Sequence, residues 1–166
     1  MDTGLLASPH RPAATHHQPA TLTRWQHAAQ RARSAQQLGQ WRMAMAYQHQ
    51  ALALSLQLLE HTPPVGHEND CIAAAVVSHL NVADLQAEAG ELEEATQVLC
   101  RAHTLLLSLM ADARHGVALQ QAAWRHSRET HAALLCHVQA HGAHPLITHT
   151  LAAAHAVHAV GGAGRH

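Results

Sequence analysis

Lysine and phenylalanine are missing from this sequence, and tyrosine occurs once, as Tyr47. All 10 basic side chains are therefore arginines, and 11 acidic residues bring the formal net charge to −1. Proteins that bind nucleic acid usually carry a basic patch or stripe, and the arginines of this chain form none. The charge pattern thus argues against a nucleic-acid partner.

Residues that favour β-strands are also scarce, since aromatic side chains make up only 2% of the chain. Alanine and leucine supply most of the apolar residues, which amount to 48%. Strands are enriched in β-branched and aromatic residues, whereas Ala, Leu, Gln, Glu and Arg are good helix formers. The composition predicts an all-α protein, and 166 residues suit a single domain with its own core.

Only three cysteines occur, and these are Cys71, Cys100 and Cys136. An odd number of widely separated cysteines does not indicate a disulfide framework. No run approaches the roughly 18 consecutive apolar residues of a membrane-spanning helix. The N-terminal stretch lacks the basic segment and apolar run of a signal peptide. We therefore expect a cytoplasmic protein that does not enter a membrane.

Apolar residues recur at spacings of three and four, which predicts about six helices. Thr23 with Gln26 resembles a capping box at the first start, Asn69 or Asp70 is expected to cap the third helix, and Gly116 is expected to end the fourth. We expect a disordered tail over 1–20, a helical domain over 21–160 and a flexible end over 161–166. The predicted helices span 23–38, 41 to a point before Pro63, 71–89, 91–113, 117–140 and 146–160.

Glycines divide the predicted helices into pairs at a fixed interval. They are Gly39, Gly90 and Gly142, which lie 51 and 52 residues apart. Twelve residues after each glycine comes an alanine, at Ala51, Ala102 and Ala154. Glycine permits a tight turn between antiparallel helices, and a small side chain lets two helices approach closely. A fixed period of this kind is typical of helical-repeat proteins.

The register resembles that of the tetratricopeptide repeat (TPR). The resemblance is carried by Leu38–Gly39 with Ala51, by Ala89–Gly90 with Ala102, and by Asn81-Val82-Ala83 ahead of the second turn. The period of about 51 residues exceeds the family's roughly 34, so the helices are longer than in regular repeats. The resemblance implies an all-α, TPR-like solenoid or bundle of three antiparallel helical hairpins.

The resemblance also implies a protein- or peptide-binding module that uses the first helix of each hairpin. Some family members bind a peptide's carboxylate with a clamp of Lys or Arg and Asn. The matching positions here hold Arg33, Gln36 and Gln40, then Asp84, Ala87 and Glu91, so the clamp is not reproduced and the partner type stays open. The candidate partner-binding residues are Arg33, Gln36, Gln37, Gln40, Asp84, Glu88 and Glu91.

Catalytic motifs are missing from the sequence, which contains neither a nucleophile elbow nor a phosphate-binding loop. We therefore expect no enzyme and no cofactor.

Self-association into a homo-oligomer is another possible function, because the last predicted helix leaves an apolar face without a capping repeat.

The 19 histidines support an alternative function. His79 and His131 each lie eleven residues before a turn glycine, on the same helical stripe, and Glu129 is close to the second. On adjacent first helices these side chains could bind a metal or respond to pH. The simpler interpretation is that each imidazole bonds to a neighbouring helix and only packs, since buried polar groups usually find partners.

Overall fold

The computed structural model describes residues 21–61 and 63–162, with side chains described as far as Ala154. Within this part of the chain all regular structure is helical, and no strand occurs. The expectations for residues 1–20 and 163–166 lie outside the described residues. The helices are α1 Leu22–Gln37, α2 Trp41–Glu60, α3 Glu68–Glu88, α4 Leu92–Ala111, α5 Val117–His141 and α6 Pro145–Gly162.

Neighbouring helices pack against each other along the chain. Helix α1 packs along α2, α2 along α3, α3 along α4, and α4 along α5. Helices α3 and α5, the first helices of successive hairpins, also share an extensive contact, whereas α6 packs mainly on α4. These contacts confirm the prediction of an all-α bundle or solenoid of six helices.

The first two turns have the same backbone geometry. Gly39 and Gly90 adopt φ values of +69° and +83°. Each turn is closed by a backbone hydrogen bond across five residues, from Gln40 N–H to Ala35 (2.9 Å) and from Glu91 N–H to Gln86 (2.8 Å). This is the Schellman arrangement, in which a left-handed glycine allows the helix's last carbonyls to be paired.

The third turn is built differently. Gly142 has a φ of +95° and a ψ of 171°, so its backbone is extended rather than left-handed helical. Its N–H donates to Val138 at 2.8 Å. Helix α6 then begins at Pro145, a position where proline's missing N–H would have no partner within the helix.

The alanines of the repeat are almost fully buried in all three hairpins, at Ala51, Ala102 and Ala154. The residues five positions after each glycine are buried as well, at Ala44, Ala95 and Ile147. The predicted register of alanines twelve residues after each glycine is therefore present in the tertiary structure.

Two predicted helix starts were wrong. The side chain of Thr21, not Thr23, caps α1, since Thr21 Oγ1 accepts a hydrogen bond from Arg24 N–H at 3.2 Å. Helix α3 begins at Glu68, so the predicted caps Asn69 and Asp70 lie inside its first turn. Both helices begin earlier in the sequence than their predicted caps, because competing local hydrogen bonds decide where a helix starts.

The predicted end of the fourth helix was also wrong. Helix α4 ends at Ala111, and Gly116, with a φ of −62°, is instead the residue before α5. The Asp112 carboxylate accepts hydrogen bonds from the backbone N–H (2.9 Å) and guanidinium of Arg114, which stabilises a turn after the helix. These bonds to Arg114 hold the pKa of Asp112 well below its usual range.

The main core lies between α3, α4, α5 and α6. One cluster joins buried residues of all four helices: Val82, Ala95, Val98, Leu99, Leu134 and Ile147. A second cluster lies towards the other end of α3, around Ile72, Val76, Leu106 and Leu119. Helix α1 is tied to α3 by a hydrogen bond from Trp25 Nε1 to Ser78 Oγ at 2.8 Å.

Candidate functional site

The seven candidate partner-binding residues form what we call the first-helix surface. All seven are exposed, and they come from the last turns of α1 and α3 and from the loops that follow. The seven residues are Arg33, Gln36, Gln37, Gln40, Asp84, Glu88 and Glu91. Because the two turns share one geometry, three pairs of them occupy equivalent positions in successive hairpins, namely Arg33 and Asp84, Gln37 and Glu88, and Gln40 and Glu91, whereas the position equivalent to Gln36 holds Ala87.

The two halves of this surface differ in charge. The α1 half has Arg33 among glutamines, whereas the α3 half has Asp84, Glu88 and Glu91. Partial burial raises the pKa of the Asp84 carboxyl above its ordinary value. A partner that lies across both halves would therefore meet a cationic side chain at one end and carboxylates at the other.

A groove open to solvent runs along the first hairpin, and we call it the outer groove. It is lined by residues of α1, α2 and the turn between them, including His27, Arg31, Ser34, Leu38, Met43 and Tyr47. The guanidinium carbon of Arg31 lies 4.7 Å from the centre of the Tyr47 ring. Leu38 follows Ala35 at the three-residue spacing of an apolar helical stripe, which predicts burial, but it is 72% exposed. The sequence offered one signal for this, because Leu38 directly precedes the turn glycine.

Two reciprocal pairs of threonine and histidine join α4 and α5. Thr96 Oγ1 of α4 lies 3.0 Å from His137 Nε2 of α5, and His103 Nδ1 of α4 lies 2.8 Å from Thr130 Oγ1 of α5. The residues are seven apart on both helices, which is two helical turns, so the pairs repeat along the antiparallel contact. Sequence reasoning missed them because neither pair is local.

The hydrogen bonds of Thr130 decide which ring nitrogen of His103 carries a hydrogen. Thr130 donates its hydroxyl hydrogen to the carbonyl of Ser127 at 3.1 Å. Its oxygen must therefore accept from His103, so His103 carries a hydrogen on Nδ1. Both side chains are almost fully buried. At the other pair, partial burial and the nearby His141 and His144 lower the pKa of His137.

His79 is buried within α3 and is one of the two predicted site histidines. Its Nδ1 donates a hydrogen bond to the carbonyl of Ala75, one turn earlier, at 2.7 Å. Burial lowers the pKa of His79, although the bond to Ala75 opposes this shift and the charge of Arg101 adds to it. The neutral imidazole is thus the form that suits this site.

The other two predicted metal ligands have different neighbours. His131 faces His103 of α4, with ring centres 5.9 Å apart, and the Glu129 carboxylate lies 3.0 Å from Nδ1 of His126. In the described ranges, no three His, Cys, Asp or Glu side chains are arranged so that they could hold a metal ion. Metal binding by His79, His131 and Glu129 therefore has no support from this geometry.

A hydrogen bond between His144 and Glu93 connects the second and third hairpins at the surface. His144 Nε2, just before α6, lies 2.9 Å from Glu93 Oε2 at the start of α4. Hydrogen bonds from Gln97 and then His144 lower the pKa of Glu93. The third hairpin is thus attached to α4 by imidazoles at two levels, His137 and His144.

None of the helices described here combines the length and hydropathy needed to cross a membrane.

Comparison with known proteins supplies a family. Neither the curated proteins nor the solved structures provided a match. A family model described as a protein of unknown function (DUF2753) matches residues 23–161, a span that takes in nearly all of α1 to α6. The chain therefore belongs to the DUF2753 family.

Proposed function

We propose that this protein is a TPR-like interaction module of the cytoplasm that binds a protein or peptide and has no catalytic activity. Its binding site is the first-helix surface. The observation that supports this most directly is that two hairpins with the same turn geometry expose seven polar side chains, six of which form three pairs at equivalent positions. Repeating surfaces of this kind provide extended sites for partner chains.

The TPR-like assignment rests on local geometry and packing. The left-handed glycines Gly39 and Gly90 end α1 and α3, and buried alanines follow at the expected interval. The first helices α3 and α5 also contact each other directly, as stacked hairpins require. These features favour a repeat stack over a bundle with unrelated helix contacts.

The charges of the first-helix surface define the chemistry of a suitable partner. Arg33 would face a carboxylate or carbonyl, and Asp84, Glu88 and Glu91 would face basic side chains. Complementary charges of this kind mainly raise specificity and the rate of association. A partner segment with an acidic and a basic end, aligned across α1 and α3, fits this pattern.

Affinity capture with matched surface variants tests the proposal. One variant carries Arg33→Ala, Asp84→Ala and Glu88→Ala, and a control carries Gln97→Ala, Arg101→Ala and Thr104→Ala on the exposed side of α4. We expect the same proteins to be enriched by the wild type and by the control, and lost with the first variant. Equal enrichment by all three proteins, with folding verified by circular dichroism, would contradict a role of this surface.

A second candidate function is a response to pH. The supporting observation is that α5 is held to α4 by two imidazole–hydroxyl pairs, Thr96–His137 and His103–Thr130. Protonation of a buried imidazole places a charge in the contact between the helices, which is costly. Acidification would thus loosen the third hairpin from the rest of the stack.

Hydrogen exchange measured at pH 8 and pH 5.5 tests this second candidate. We expect amides of α5 to exchange faster at the lower pH, after correction for intrinsic rates, while those of α1 and α2 remain protected. Thr130→Val removes the acceptor for His103 and should produce the same loosening at pH 8. Protection of α5 that is equal at both pH values would exclude the pH response.

A further inference from the structure

The outer groove belongs to the first hairpin alone, since none of the residues that line it comes from the described parts of α3 to α6. Two of its lining residues, Ala35 and Tyr47, also pack on the cluster that includes Leu85 of α3, so the groove borders the contact with α3. The first hairpin is the terminal one among the described helices. Terminal repeats normally need a polar outer face for solubility.

The turn end of this groove is apolar instead of polar. Leu38 is 72% exposed and Met43 is 47% exposed, and the neighbouring Trp41 is 46% exposed. Together with the half-buried Tyr47, they place four large apolar side chains at one end of the molecule. Contiguous apolar patches on an otherwise polar surface commonly mark interaction sites.

The charge around the groove has one sign. Arg31 and His27 line it, none of its lining residues is acidic, and Arg33 and Arg42 are exposed near the same turn. The acidic residue of α2 is Glu60, its last residue, about 30 Å along the helix from Trp41 at 1.5 Å per residue. The turn end of the groove therefore attracts carboxylates.

The shape of the groove favours a helix as occupant. Two antiparallel helices form a channel into which the side-chain ridges of a third helix can pack, and amphipathic helices commonly bind such channels. From the apolar patch, the positive charge and this shape, we propose that the outer groove binds an acidic amphipathic helix of a separate protein. The outer groove shares only Gln40 with the first-helix surface, so this inference does not depend on binding there.

Segments of this same chain do not have the required chemistry. Helix α6, at the other end of the stack, contains no acidic residue, so the end of a second copy would not complement the arginines. The sequence before α1 has one acidic residue, Asp2, and it also has the basic Arg11. The exposed carboxylates Glu88, Glu93 and Glu94 lie on α3 and α4, whose apolar faces are already buried in the core, so these helices cannot offer a free apolar face to the groove. We therefore assign the acidic helix to another protein.

The contacts of the bound helix follow from the positions of the side chains. Its apolar residues, at spacings of three and four, would cover Leu38 and Met43. Its carboxylates would reach Arg31, whose flat face stacks on Tyr47 while its N–H donors project from the edge. The contact with Tyr47 orients the guanidinium of Arg31 before binding, which reduces the conformational entropy lost when the helix binds.

A pair of designed peptides tests the inference. The first is a helical peptide of about 20 residues, long enough to be helical alone, with leucines along one face and glutamates elsewhere. The second has lysine at each glutamate position. Binding to the full chain is measured by fluorescence anisotropy of labelled peptide at low and high salt. We expect the acidic peptide to bind at least about tenfold more tightly than the basic one, and salt to reduce this difference.

Three variants locate the binding site. Arg31→Glu and Leu38→Asp change exposed groove residues and should each weaken binding of the acidic peptide about tenfold or more. Arg128→Glu is the matched control, because Arg128 stacks on Trp124 of α5 at 4.6 Å, away from the groove, and should leave binding unchanged. The inference is overturned if the basic peptide binds as tightly, or if all three variants bind like the wild type. It is also overturned if light scattering shows a wild-type oligomer that Leu38→Asp dissociates, since a second copy would then occupy the groove.

Discussion

Replacing the turn glycines tests the repeat geometry most directly. An added Cβ at Gly90 would meet no heavy atom within 4 Å, so a substitution there causes no tertiary clash. The cost of Gly90→Ala is then the backbone conformation at a φ of +83°, about 1–2 kcal/mol for a residue with a side chain. Reduced entropy of the unfolded chain offsets about 0.4–1 kcal/mol of this cost. We expect a net loss of about 1 kcal/mol.

Gly142 provides a comparison in which asparagine should behave differently. Its Cβ position is equally open, but φ is +95° and ψ is 171°, a region that is almost exclusive to glycine. Asparagine tolerates the left-handed helical region but gains nothing here. Gly90→Asn should therefore recover most of the stability lost in Gly90→Ala, whereas Gly142→Asn should be as destabilising as Gly142→Ala, by about 1–3 kcal/mol.

Urea unfolding followed by circular dichroism measures these differences, and thermal melting provides a second measurement. A loss of 1 kcal/mol corresponds to a fall in Tm of about 2–5 °C for a domain of this size. The reasoning would be refuted if Gly90→Ala were as stable as the wild type. It would equally be refuted if asparagine were tolerated at Gly142 as well as at Gly90.

Three further predictions concern single side chains. Burial lowers the pKa of His79, so the stability contributed by its neutral form is complete above the unfolded pKa of about 6.5 and is lost as the pH falls through the folded pKa. In urea titrations, His79→Met should therefore reduce the loss of unfolding free energy between pH 7 and pH 5. An unchanged pH dependence would contradict this. Ala102→Leu should destabilise the protein by about 1–3 kcal/mol by overpacking, seen as a lower Tm, and an unchanged Tm would argue against close helix contact. Thr21→Ala removes the cap of α1 and should lower the free energy of unfolding in urea by about 1 kcal/mol. Thr23→Ala should change it by no more than about 0.5 kcal/mol. The reverse order would support Thr23 as the cap, as the sequence predicts.

Several helix boundaries depended on more than the nearest matching residues. Thr23 with Gln26 had the spacing of a capping box, yet Thr21 provides the cap. Gly116 was expected to end the fourth helix, but α4 already ends at Ala111. A turn held by hydrogen bonds from Arg114 to Asp112 follows it. Such ends are decided by small differences between competing local bonds, which a single sequence pattern does not rank.

The sequence by itself determined the all-α class, the glycine turns and the alanines at which helices meet. These follow from helical periodicity and from the backbone freedom of glycine, which are properties of short segments. It also placed the seven residues of the first-helix surface correctly in exposed positions.

Only the tertiary structure decided which histidines have which neighbours and which apolar residues stay uncovered. The ring centre of His131 lies 5.9 Å from that of His103, a contact that depends on how α5 packs along α4. Leu38 follows Ala35 at the spacing of a core residue, but it is exposed, because it lies at the end of α1 where no other described helix covers its side chain. Burial and pairing depend on the positions of distant segments, and those positions arise from the packing of the whole chain.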